Sequence, residues 1–298
     1  MVFGSLPDIP GAEHPEYQWL KEAAKETAAE KVAGLDIGLD LRRHPEINSR
    51  LAEIGSHFED SLAMARMIQT VYEPLRAKLG LADEGPERLM RAAVLHDIGK
   101  SGPAGAETGF HDAVRRLFIT PTRPFNHFAG GRNRTISEFL AEQELPDGAG
   151  IAAELRQAGI DPDQEAMIDF WRRHAQWTYD LLRTENGPDI DEDMIKIAAT
   201  HHLLEGRNPA QLKLDEVPAE AHVLEVLEES ELLAAVDKYQ ALRQRVGLPH
   251  EEVIKKLNAM IDARTELPET LRQKFRTIIE IIGNSREALE EFLGGKRA

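Results

Sequence analysis

The sequence predicts an all-α protein. Alternating valine-rich runs are scarce, apolar residues recur three and four positions apart along most of the chain, and helix start and stop signals punctuate those stripes. An N-terminal helix is predicted over Glu16 to Val32, followed by a loop through Gly34, Gly38 and His44-Pro45. A longer helix should run from about Ile47 to Leu79. Leu51, Ile54, Phe58, Leu62, Ala65 and Ile68 make its apolar stripe, and Pro74 is a kink or break. Pro86 suits the first turn of a helix that ends at His96-Asp97, with Gly99 closing it.

Residues 101–160 read differently. They are rich in Gly, Pro, Arg and Asn, with at most short helices around Ala113 to Phe118 and Ser137 to Gln143, and are predicted to form an insertion or lid. Helix should resume at the acidic cap Asp161-Pro162-Asp163-Gln164 and run to about Glu185, where Gly187-Pro188 stops it. Asp189 or Asp191 can cap the next helix, which should end near Gly206. Another should span Ala219 to Val246, and two or three more should close the chain from His250 to Phe292. The expected organisation is a helical extension at 1–45, a main domain at 46–246 interrupted by the insertion at 101–160, and C-terminal helices at 247–298 packed on the core.

Composition narrows the function. At 298 residues the chain can bury a substantial core, and 42% hydrophobic with 30% charged residues is an ordinary soluble balance. No apolar run approaches membrane-spanning length and the start lacks a signal core, so a cytoplasmic protein is expected. The absence of cysteine excludes disulfides and thiolate metal sites, leaving histidine and carboxylate as the only metal ligands. A formal charge of −16 argues against long nucleic acid as a partner, while a small phosphorylated substrate is compatible with local cations.

The pair His96-Asp97, at the end of the apolar run Val94-Leu95 and before Ile98-Gly99-Lys100, lacks a packing explanation and looks like metal ligands. Of the eleven histidines, His57, His96, His174, His201 and His202 lie on or at the ends of predicted helices. Three acids join them: Glu53, Asp97 and Asp237. Glu53 and His57 are spaced to share one helical face. Asp237 interrupts the apolar stretch Leu232 to Val236, where an unpartnered carboxylate is costly to bury. His14, His44, His111, His222 and His250 are expected at the surface. Trp171 and Trp177 are expected to pack around His174, and Glu228-Glu229 and Glu290-Glu291 to be solvated helix faces.

The ordered series resembles the HD superfamily of metal-dependent phosphohydrolases, and more narrowly its HD-GYP branch, which hydrolyses cyclic dinucleotides. The residues that carry the resemblance are His96-Asp97-Ile98-Gly99-Lys100, His174, His201-His202 with Gly206 and Pro209, and Asp237-Lys238-Tyr239-Gln240-Ala241-Leu242. The chain departs from the branch at Leu203, where glutamate is usual, at Asn208 in place of the signature tyrosine, with Arg207 before it, and in the long insertion. The resemblance implies an HD helical bundle in which His57, His96 and Asp237 hold one metal, His174 and His201 a second, and Glu53 with His202 a third, Asp97 being the bridge. Two or three divalent transition ions are implied, with iron or manganese favoured and zinc, nickel or cobalt compatible.

A hydroxide held between such cations would be the nucleophile, and Lys100 would hold a phosphate oxygen. The expected activity is that of a phosphodiesterase on a cyclic dinucleotide such as cyclic di-GMP or on another small nucleotide. Arg123, Arg132, Arg134 and Arg207 are the expected substrate contacts, because guanidinium groups suit bidentate phosphate recognition. The rival readings are a di-iron HD-fold oxygenase acting on a small polar substrate and a catalytically altered nucleotide-binding protein. A homo-oligomer is left open.

Overall fold

The computed structural model describes residues 27–79, 85–119, 125–145, 147–185, 187–202, 204, 222–244, 246–265, 267 and 269–292, with the backbone alone for 222–228. Helix α1 is Ala28–Ala33, started by a capping box in which Thr27 Oγ1 accepts from the Glu30 N–H at 3.3 Å and Glu30 accepts from the Thr27 N–H at 2.7 Å. The rest of the helix expected over Glu16 to Val32 lies outside the described residues.

The single helix expected from Ile47 to Leu79 is two, α2 (Pro45–Glu53) and α3 (Ser56–Leu79). Gly55 between them has φ +53, a left-handed conformation that ends α2. The apolar stripe crosses this break undisturbed because Leu51, Ile54 and Phe58 all enter the same core. Pro74 lies inside α3 and does not end it.

Helix α4 (Glu87–Leu95) leads through His96 and Asp97 into a 3₁₀ turn, Ile98–Ser101. The left-handed glycine after this turn is Gly102, with φ +104, and not Gly99.

The described residues of the segment expected to be mostly irregular are largely helical. It contains α5 (Thr108–Ile119), a hairpin pairing β1 (Phe128–Ala129) with β2 (Arg132–Asn133), α6 (Ile136–Gln143) and α7 (Gly148–Gln157). Val114, Leu117, Phe139, Ile151 and Leu155 form a second apolar core there with Met167, Phe170 and Trp177. Gly105, Gly130, Gly131 and Gly159 mark turns between its short elements.

Helix α8 (Met167–Thr184) starts later than Asp161. The carboxylate of Asp161 accepts from the Asp163 N–H at 3.0 Å, and Asp163 is drawn to Arg156 at 2.7 Å, so 161–165 closes as a turn. Asp191 caps α9 (Glu192–Ala199) by accepting from the Met194 N–H at 2.8 Å. That helix stops at Thr200, short of Gly206. The chain then forms α10 (His222–Gln244), α11 (His250–Asp262), α12 (Glu269–Asn284) and α13 (Arg286–Phe292).

The fold is thus all-α apart from one small hairpin. A main core joins α1 to α4, α9 and α10 with Val253, Leu257, Phe275 and Ile278 from the C-terminal helices. Helix α8 lies between the two cores, giving Leu181 and Leu182 to the first and Phe170 and Trp177 to the second. No described helix is long and apolar enough to cross a membrane.

Candidate metal centre

The seam between the two cores carries His96, Asp97, His174 and His201, all buried, from α4, the turn after it, α8 and the end of α9. Local geometry prepares each imidazole in the same way. In each case Nδ1 faces the carbonyl three residues earlier: His96 that of Ala93 at 2.7 Å, His201 that of Ala198 at 2.6 Å, and His174 that of Trp171. A carbonyl only accepts, so Nδ1 carries the hydrogen and Nε2 presents a bare lone pair.

These lone pairs converge. His174 Nε2 lies 3.0 Å from His201 Nε2 and 3.2 Å from His202 Nε2. Two lone pairs at that separation repel unless a proton or a metal cation lies between them. A proton is disfavoured, because burial pushes His174 down to about 4 and pushes His201 well below its ordinary value, with neighbouring imidazoles adding to the effect. Around a metal with bonds of about 2.0 to 2.2 Å, neighbouring donor atoms lie about 3 to 3.5 Å apart, so these separations suit a coordination polyhedron. Backbone carbonyls accepting the second ring N–H are also the usual support of metal-binding histidines.

Asp97 presents one oxygen to each side of the cluster. Its Oδ1 is 3.2 Å from His174 Nε2 and 3.8 Å from His201 Nε2, while Oδ2 is 3.4 Å from His96 Nε2. Asp237 Oδ1 closes the His96 side at 3.8 Å. Burial works against both carboxylate charges, but the histidines around them, with Lys100 beside Asp97, outweigh it and hold both groups below the usual range. His96 shows the reverse balance: burial lowers it, and the two aspartates raise it further. Two sets of donors satisfy the fit, His174, His201 and His202 on one side and His96, Asp97 and His201 on the other, each set within 4.8 Å.

No family model, curated protein or solved structure matches this chain. The centre therefore rests on its own geometry.

The structure distributes the other expected residues unevenly. Lys100 is buried, bonds Asp97 Oδ2 and lies 3.3 Å from His57 Nδ1. His57 gives its other ring edge to the Phe118 carbonyl at 3.3 Å, so any ligand atom it offers is Nδ1. It therefore sits at the rim, joined to the centre through Lys100. Glu53 does not share a helical face with His57, because Gly55 breaks the helix. Its Oε2 faces His111 Nε2 at 3.3 Å, across the seam between α2 and the insertion.

Arg132 forms a forked pair with Glu138 at 2.9 and 2.7 Å. Arg134 pairs with Glu142 at 2.6 Å and lies over the Phe125 ring. Both guanidinium groups thus fasten the hairpin to α6, and no hydrogen bond or ion pair among the described residues joins either to the histidine cluster. Arg123 and Arg207, with Leu203 and Asn208, lie outside the described residues.

Several residues reading as surface are buried. His44 lies between Glu185 and Asp189 at 3.3 and 3.2 Å, and His250 between the Tyr239 hydroxyl and the Gly283 carbonyl at 2.8 and 3.0 Å. Glu229 is buried against Arg88 at 3.0 Å. Sequence reasoning also missed two supports of the centre. Arg50 donates to Ser101 Oγ at 3.2 Å and the Gly102 carbonyl at 2.9 Å, bracing the turn behind Lys100. Thr178 binds that turn from the other side. Its spacing of four from His174, on one helical face, was the available signal.

Proposed function

We propose that this chain is a metal-dependent phosphohydrolase acting on a small phosphorylated substrate, with a phosphodiester of a cyclic dinucleotide or another small nucleotide as the leading class. The observation that carries the reading is the Asp97 carboxylate, whose Oδ1 faces His174 and His201 while its Oδ2 faces His96. His96 and Asp237 would hold one divalent ion, His174, His201 and His202 a second, and Asp97 both. Such ions, when bound, polarise a phosphoryl oxygen and make water a better nucleophile at neutral pH.

The chain's own residues supply the rest. Lys100 lies beside Asp97 and is the group placed to neutralise a phosphate oxygen, which favours hydrolysis over oxygen activation. The ring of Phe118, backed by Phe170, packs edge-on against His174 and limits water there. With neither Arg132 nor Arg134 joined to the cluster, the support for phosphate binding rests on Lys100.

The test is metal analysis of the purified protein followed by a screen of cyclic dinucleotides, cyclic mononucleotides, nucleoside phosphates and phosphonates. His96→Ala and Asp97→Ala are expected to lose bound metal and hydrolysis together. Retention of both in both variants would defeat the assignment. A mixed-valent iron signal in electron paramagnetic resonance, without hydrolysis of any phosphodiester, would favour the oxygenase instead.

A further inference from the structure

We propose that Thr178 is a positioning residue that sets the separation between the two sides of the centre. The inference rests on the reading of the His–Asp cluster as a metal centre. Asp97 and His174 come from different pieces of backbone, the 3₁₀ turn and α8, so the 3.2 Å between Asp97 Oδ1 and His174 Nε2 depends on how the turn sits on the helix. Thr178 lies one helical turn after His174 and is fully buried. Its hydroxyl accepts from the Gly99 N–H at 3.0 Å and donates to the His96 carbonyl at 2.9 Å. One side chain thereby grips the backbone on both sides of Asp97.

The contact has no slack. A Cβ on Gly99 would lie 2.0 Å from the His174 carbonyl oxygen and 2.6 Å from the Thr178 nitrogen, so the turn rests directly on the helix backbone. Contact alone stops the turn moving closer to α8. Arg50 braces the far end of the turn at Ser101 and Gly102, and the paired hydrogen bonds of Thr178 hold the backbone on either side of Asp97 against sliding along the helix, which is the motion that would carry Asp97 Oδ1 away from His174. Serine can make both bonds, whereas valine has the shape of threonine and makes neither.

The experiment titrates Mn(II) and Co(II) into chelator-stripped wild type, Thr178→Ser and Thr178→Val, with helical circular dichroism and melting as controls for folding. The wild type and the serine variant are expected to bind within about threefold of one another, and the valine variant about 10- to 100-fold more weakly, the range for losing a support behind metal ligands. The Co(II) absorption spectrum should change in the valine variant and not in the serine variant. Equal binding by folded Thr178→Val overturns the proposal while leaving the centre intact, and so does a serine variant as weak as the valine one. A wild type that binds neither ion defeats the metal reading itself. If Thr178→Val does not fold, Thr178→Ala takes its place and the same outcomes decide.

Discussion

Gly99→Ala is the substitution for which the structure yields the firmest magnitude. The added methyl would lie 2.0 Å from the His174 carbonyl oxygen, 2.6 Å from the Thr178 nitrogen and 2.8 Å from Thr178 Oγ1. Two of these atoms belong to the backbone of α8, so no rotamer change relieves the clash. The turn must lift by more than about 1 Å to restore ordinary contact, and the bonds of Thr178 to Gly99 and His96, now 3.0 and 2.9 Å, then stretch past useful length. Overpacking of this kind costs about 1 to 3 kcal/mol, and two weakened buried hydrogen bonds add about 1 kcal/mol each. A total of roughly 3 to 5 kcal/mol corresponds to a fall in melting temperature of about 5 to 8 °C for a chain of this size. Scanning calorimetry of metal-stripped wild type and variant measures it directly. A variant melting within about 2 °C of wild type would show that the turn yields at little cost and refute the argument.

Acid should destabilise the metal-stripped protein. His174 is held at about 4 when folded against an ordinary 6.5, so as pH falls the unfolded chain takes up the proton first. Its contribution, about 3 kcal/mol, is complete above about pH 6.5 and is lost between there and about pH 4. His96, raised when folded, acts in the opposite sense, its contribution being present at low pH and lost as pH rises through its folded value. Chemical denaturation across this range should show a shallower loss in His174→Gln than in wild type, and parallel curves would reject the assignment. Arg50→Leu should lower stability by about 2 to 4 kcal/mol, measured by urea unfolding, because it strips buried acceptors at Ser101 and Gly102 of their donor. Glu53→Gln should leave metal content unchanged and increase hydrogen exchange in α5, since Glu53 faces His111 there. A lost equivalent of metal in that variant would restore Glu53 to the ligand set.

Much of the centre was legible because its chemistry is local. Each of His96, His174 and His201 bonds a carbonyl three residues back, an arrangement that helical spacing alone provides. Asp237 was legible because a carboxylate in an apolar helix needs a partner, and His96 is that partner. Glu53 was misread for the complementary reason. A shared face at spacing four requires an unbroken helix, and the stripe that suggested one is equally compatible with two helices entering the same core.

The insertion shows the same division. Gly105, Gly130, Gly131 and Gly159 locate turns, but they say nothing of how Leu117, Phe139 and Leu155 meet in a second core, because that needs elements distant in sequence. The hairpin arginines looked open until Glu138 and Glu142 were placed beside them.

What the sequence by itself determined is the helical class, the histidines and aspartates that gather in the buried cluster and the helices that carry most of them. These follow from periodicity and from the chemistry of single side chains. Only the tertiary structure decided that Asp97 Oδ1 faces His174 and His201 while Oδ2 faces His96, that Lys100 lies between Asp97 and His57, and that Thr178 ties the turn to α8. Those are distances between separate pieces of backbone, set by how the helices pack.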